Sequence, residues 1–147
     1  MCFSKENRAF DHYFGKLNGV RGFNDRFTAP LPSGLNSFYQ PTDQSNLEEY
    51  QLPWPIDYAE TSAMCMDAPE MGYEVDIRMW NNGHFDSWNT GRQPGTGMSY
   101  WTREGLPYYF NLYDHFAVGD QYFQSTFTAT NPNRMFLFAG SNGPSMG

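Results

Sequence analysis

The chain has 147 residues, enough for one ordinary domain with its own core. Only 39% of it is hydrophobic while 18% is aromatic (13 Phe, 10 Tyr and 4 Trp), so its apolar material is rings more than aliphatic branches. A formal net charge of −7 argues against nucleic acid and against an anionic membrane held by charge alone. No apolar run approaches the roughly 18 residues of a membrane span. No basic, apolar, small-residue signal stands at the start.

In chain order, residues 2 to 4 read as the tail of a strand feeding a turn at Glu6 and Asn7. From Arg8 to Leu17 the apolar Phe10, Tyr13, Phe14 and Leu17 fall at helical spacing, with Gly15 and Gly19 as stops, which predicts a short helix. Residues 24 to 72 are rich in Pro, Ser, Asn and Gln yet keep returning to Tyr and Trp, the pattern of long ordered loops. Residues 73 to 89 read as an amphipathic helix that breaks at Asn82 and Gly83. A helix is expected over residues 106 to 118, where Pro107 suits a first turn and Tyr109, Leu112, Tyr113 and Phe116 share a face. Residues 119 to 125 alternate as a strand does, and residues 131 to 141 can open a helix at Pro132. There is no internal repeat and no domain boundary.

Several residue groups can carry chemistry. Glu6 and Asn7 are adjacent oxygen donors of the kind a hard divalent cation accepts together, and equally a common surface turn. Thr130 heads "TNPNR", a hydroxyl at a helix start, where backbone amides favour an anion and a phosphoryl-accepting nucleophile is well placed. The plain alternative is a helix cap. Asn131, Asn133 and Arg134 can contact an anion there, or cap and form a salt bridge. In "WNNGHFDSWN" the polar Asn81, Asn82, His84 and Asp86 stand among Trp80, Phe85 and Trp88, able to bind metal or a polar head group, or to be hydrogen-bonded core. His12 and His115 read as structural. Cys2 and Cys65 are too few for a disulfide framework and lack metal spacing, which leaves room for one bridge without demanding it.

The segments "ENRAFDHYFGKLNGVRGFNDR", "WNNGHFDSW", "YWTREGLPYYFNLYDHFAVGDQYF" and "TNPNRMFLFAG" occur in an order that resembles the phosphoesterase family of bacterial phospholipases C and related acid phosphatases. That family lies within the alkaline-phosphatase-like fold. The likeness runs from Cys2 to about Gly140, with Ala9 where Ser is common and Lys5 where an uncharged residue is usual.

The resemblance implies an α/β fold, part of an α/β/α sandwich with a largely parallel sheet and the active site at strand C-termini. It implies a divalent metal ion (Ca²⁺, Mg²⁺, Mn²⁺ or Zn²⁺) with Glu6, Asn7 and Thr130 among its ligands. Thr130 maps to the nucleophile that attacks phosphorus. Asn82, His84 and Asp86 lie in a segment that matches one near the family's pocket, and Asn133 and Arg134, read above as anion contacts, join them as expected substrate-binding residues. The implied substrate is a phosphate ester, more of the phospholipid type than a simple monoester, since the aromatics suit a choline-type head group through cation–π contact. Secretion or a periplasmic location follows from family habit. The family's first strand and its downstream His and acidic pair are not found in residues 1–147, so the chain is expected to be the N-terminal part of one catalytic domain, incomplete at both ends and inactive alone. The competing expectation is a non-catalytic binding remnant.

Overall fold

The computed structural model describes residues 6–67, 69–91 and 95–143. The expected strand tail at residues 2 to 4 and Cys2 lie outside them; Cys65 is exposed. The fold is mixed α/β, with four α-helices and two small two-stranded sheets among the described residues.

The first helix, α1, spans Phe10–Phe14, shorter than the spacing predicts. The glycines explain its end. Phe23 N–H donates to Gly15 O at 2.8 Å, and a Cβ on Gly22 would lie 2.3 Å from that same carbonyl. The chain turns back on itself so tightly that only a missing side chain fits. Phe14 and Leu17 then pack with Phe110, the centre of the core. Tyr13, Tyr109 and Tyr113 close over it, with the Tyr113 ring edge-on to Phe14 at 4.4 Å.

Residues 24 to 72 hold more regular structure than their composition suggests. Strands β1 (Gln40–Asp43) and β2 (Asn46–Gln51) form an antiparallel hairpin. Strand β3 (Trp54–Pro55) pairs in parallel with β4 (Ser99–Tyr100), the one parallel pairing among the described residues. His12 Nδ1 lies 2.7 Å from Ser99 O, and Trp101 N–H donates to His12 O at 2.8 Å, which ties α1 to β4. His115 contacts Asn111 O at 2.8 Å, so both histidines make structural bonds as expected.

Helix α2 (Tyr73–Trp80) stops at Asn81 and Asn82, whose φ values of 40° and 55° are left-handed. Asn is one of the few residues that enter that region at low cost, so the predicted break is borne out. Helix α3 (Pro107–His115) begins with Pro107 at its first position, as read from the sequence. Helix α4 (Thr130–Ala139) starts two residues before Pro132 and ends on Gly140 with φ 68°. The strand expected over residues 119 to 125 is absent: these residues are turns and bends. Alternation alone does not make a strand when no neighbouring strand takes up its backbone groups. No helix among the described residues is long and apolar enough to cross a membrane.

Asp11 on α1 has a measurable consequence. Its Oδ1 is buried without a hydrogen-bond partner, and burial pushes the carboxyl from its ordinary 3.8 up to about 6. The folded state therefore holds this proton more tightly than the unfolded one. The contribution of Asp11 to stability is fully present below about pH 4, is lost between pH 4 and 6, and stays absent above. Asp11→Asn is expected to raise the urea midpoint at pH 8 and to leave it unchanged near pH 3.5. His12, held below 6.5 chiefly by burial, titrates with the opposite sign, so the variant-minus-parent difference isolates Asp11. Equal midpoints at pH 8 would show that the ionised carboxylate finds compensation.

Candidate active site

Helix α4 is positioned by its own asparagine. Asn133 Oδ1 accepts the N–H groups of Ser125 and Thr126 at 3.0 and 3.2 Å, while its Nδ2 donates to the carbonyls of Thr126, Thr128 and Ala129 at 3.1 to 3.3 Å. One side chain thus folds the approach to the helix. Thr130 is the first helical residue, half-buried, and the capping position before it belongs to Ala129, which has no side-chain acceptor. Thr130 is therefore not the N-cap residue. The first N–H groups of α4 have no intrahelical partner, and the positive end of the helix dipole lies there. Pro132 removes one of those donors.

Glu6 reaches this helix from the far end of the chain. Its Oε2 accepts a charge-assisted hydrogen bond from Arg134 Nη2, across 128 positions of sequence. Arg134 follows Thr130 by four residues, and side chains so spaced share a helix face. The structure thus ties Glu6 to α4 through a residue one turn after Thr130. Asn7 is exposed with φ 62°, a left-handed corner between Glu6 and α1. Of the alternatives open for Arg134, the salt bridge is the one formed.

The "WNNGHFDSWN" segment is clamped from below by the hairpin. The buried Gln40 donates to Phe85 O at 2.9 Å and accepts Trp88 N–H at 3.2 Å, and Gln44 donates to Asp86 O at 2.7 Å. Asp86 is itself 3% exposed, and its Oδ1 accepts Asn81 Nδ2 at 2.7 Å. That bond helps hold the left-handed turn. Asn82 and His84 stay exposed. Asn81, Asn82, Ser87 and Thr90, with Ile77 and Arg78, line an open cavity of about 370 Å³. His84 and Asp86 do not line it, while Ser87 and Thr90, which carry no motif of their own, do. The Trp80 ring lies 6.0 Å from that of Phe127, which connects this segment to the approach to Thr130.

Glu6, Asn7 and Thr130 offer hard oxygen donors, chemically suited to Mg²⁺, Ca²⁺ or Mn²⁺. They supply a single carboxylate, and no group of three or more His, Cys, Asp or Glu side chains suited to a metal occurs among the described residues. The donors fit a hard cation in kind, and their one carboxylate is fewer than such a cation commonly takes.

The sequence matches the phosphoesterase family over residues 1–146. The chain belongs to that family. Among the relatives of this phosphoesterase, the non-hemolytic phospholipase C of Pseudomonas aeruginosa is 36% identical over 140 residues, covering 95% of the chain and 20% of the relative. The hemolytic phospholipase C of the same organism is 38% identical over 141 residues, covering 96% of the chain and 18% of the relative. Phospholipase C B of Mycobacterium tuberculosis is 34% identical over 146 residues, covering 90% and 27%. The phosphoesterase chain thus spans between about a fifth and a quarter of the length of these relatives.

Proposed function

We propose that this chain is the N-terminal part of a single metal-dependent phosphoesterase domain that hydrolyses phosphodiesters in the manner of a phospholipase C. The observation that carries the reading is the docking of the Glu6 segment on the helix that Thr130 opens. The printed names of the relatives support the choice of a phospholipid-type ester.

In this reading Thr130 Oγ1 attacks phosphorus. The Oγ1–P bond forms, the bond to the leaving alkoxide breaks, and that oxygen takes a proton. Water then attacks the phosphothreonine, returns the hydroxyl to Thr130 and releases the phosphorylated product. A divalent cation bound through Glu6, Asn7 and Thr130 supplies charge neutralisation for the phosphoryl oxygens and a lowered hydroxyl pKa. Unpaired amides at the α4 N-terminus favour the same anion. Asn82 and the cavity it lines, with His84 nearby in sequence, form the head-group side, while Asp86 and Asn133 hold their loops in shape.

The larger domain is an alkaline-phosphatase-like α/β/α sandwich. The support is α4 itself: Met135, Leu137 and Phe138 are 51%, 50% and 82% exposed, and no residue of the helix is buried. Such a helix belongs in the interior of something larger. By family habit we place the whole enzyme outside the cytoplasm.

The test compares two preparations. Residues 1–147 alone are expected to give no turnover of a chromogenic phosphodiester or monoester with Ca²⁺, Mg²⁺, Mn²⁺ or Zn²⁺. The full-length protein that carries this segment is expected to release phosphocholine from phosphatidylcholine, and to lose that activity to a chelator. Hydrolysis of monoesters only would assign it to the acid phosphatases of the family. No turnover by the full-length protein would leave a binding remnant.

A further inference from the structure

We infer that Arg134 is a positioning residue for Glu6: its guanidinium holds one oxygen of the carboxylate against α4 and leaves the other free for a divalent cation. The inference rests on the reading of Glu6 as a metal ligand.

The geometry is specific. Glu6 precedes α1 in irregular backbone, beside the left-handed Asn7, and no neighbouring side chain in residues 7–9 bonds to its carboxylate. Its one side-chain partner among the described residues is Arg134, which engages Oε2 through Nη2. Oε1 has no hydrogen-bond partner there. A carboxylate has lone pairs on both oxygens, so one can accept from a guanidinium while the other binds a cation. Both side chains are about half exposed, at 49% for Glu6 and 55% for Arg134. Ion pairs this exposed add little to stability. What the pair does is restrict the Glu6 rotamers to those that reach Arg134 on α4. Outer partners that orient a ligand in this way commonly change metal affinity tenfold or more when removed.

Arginine suits the task better than lysine, because its planar fork fixes a direction and keeps further N–H donors for a second acceptor. Arg134→Lys is therefore expected to rescue in part.

The experiment uses the full-length protein carrying this segment, titrated with Mn²⁺, together with amide hydrogen exchange of residues 6–9 in metal-free protein. Arg134→Met is expected to weaken Mn²⁺ binding about 10- to 100-fold. It should also speed exchange over residues 6–9 while leaving the unfolding midpoint close to that of the parent. Arg134→Lys should recover most of the affinity. Glu6→Gln should weaken Mn²⁺ binding at this site more than Arg134→Met does, and adding Arg134→Met to it should cost little further. If Arg134→Met binds Mn²⁺ as tightly as the parent or more tightly, while Glu6→Gln binds it more weakly, the positioning role is wrong and the metal site stands. If Glu6→Gln leaves Mn²⁺ affinity unchanged, the metal reading of Glu6 fails first. Faster exchange in Arg134→Met would then mark the pair as a purely structural latch, and the inference would fall with that reading.

Discussion

Thr130→Ala in the full-length enzyme is expected to lower kcat by about three to six orders of magnitude at saturating metal. No other group stands where Thr130 Oγ1 does, at the first position of α4. On the proposed reading Thr130 alone would form the phosphoryl bond, so only direct attack by water would remain. Metal affinity should change little if the Glu6 carboxylate is the charged ligand of the cation, as proposed. Thr130→Ser should keep measurable turnover, since a hydroxyl remains on the same Cβ. Glu6→Gln should show the opposite pattern: weaker metal binding first, lost activity as its consequence, and partial recovery at high metal. Initial rates on a chromogenic phosphodiester across a metal titration separate the two, and trapped phosphothreonine in the parent identifies the nucleophile. A Thr130→Ala enzyme with near-normal kcat would show that water attacks phosphorus directly and that the hydroxyl serves only the helix start.

Phe110→Ala is expected to unfold the chain. Phe110 is 2% exposed, packs on Phe14 with ring centroids 6.2 Å apart, and carries the Arg103 guanidinium 5.1 Å over its ring. Truncating a buried Phe costs about 3–5 kcal/mol. That is a large part of the roughly 5–15 kcal/mol that holds a typical domain together. The margin here is narrow, because the central cluster holds only Phe14, Leu17 and Phe110 as fully buried members. Phe138→Ala is the control: at 82% exposed it should change the unfolding free energy by no more than about 0.5 kcal/mol in this chain. Equal effects for the two would mean that the Phe14–Leu17–Phe110 cluster is not what holds the chain together. In the full-length enzyme Phe138→Ala should become costly if α4 is covered there.

Local chemistry carried much of the reading. Pro107 at the first position of α3, Gly140 after α4 and the Asn81–Asn82 break act within a few residues of themselves, so their effects are visible in the string. Helices α1, α2 and α3 end earlier than their expected ranges, and two further stretches that differ concern strands. Strand β2 leaves most of its residues exposed, so it lacks the apolar alternation that betrays a half-buried strand. Residues 119 to 125 have alternation but no pairing partner among the described residues.

The sequence by itself determined family membership, the presence of helices α3 and α4, the start of α3 at Pro107, and the candidates Glu6, Asn7 and Thr130. Each rests on a motif or on a residue's own backbone preference, which need no distant partner. Only the tertiary structure decided which of them meet. The Glu6–Arg134 pair spans 128 positions, and Gln40 grips a segment 45 to 48 positions away. It also showed Asp86 Oδ1 bonded to Asn81 and Asn133 bonded to the backbone of residues 125 to 129, contacts that hold their loops in shape. The physical reason is that a side chain's partner depends on where the rest of the chain passes. A carboxylate or amide has the same hydrogen-bonding capacity whether it meets a cation, a substrate or a neighbouring backbone, and only packing selects among them.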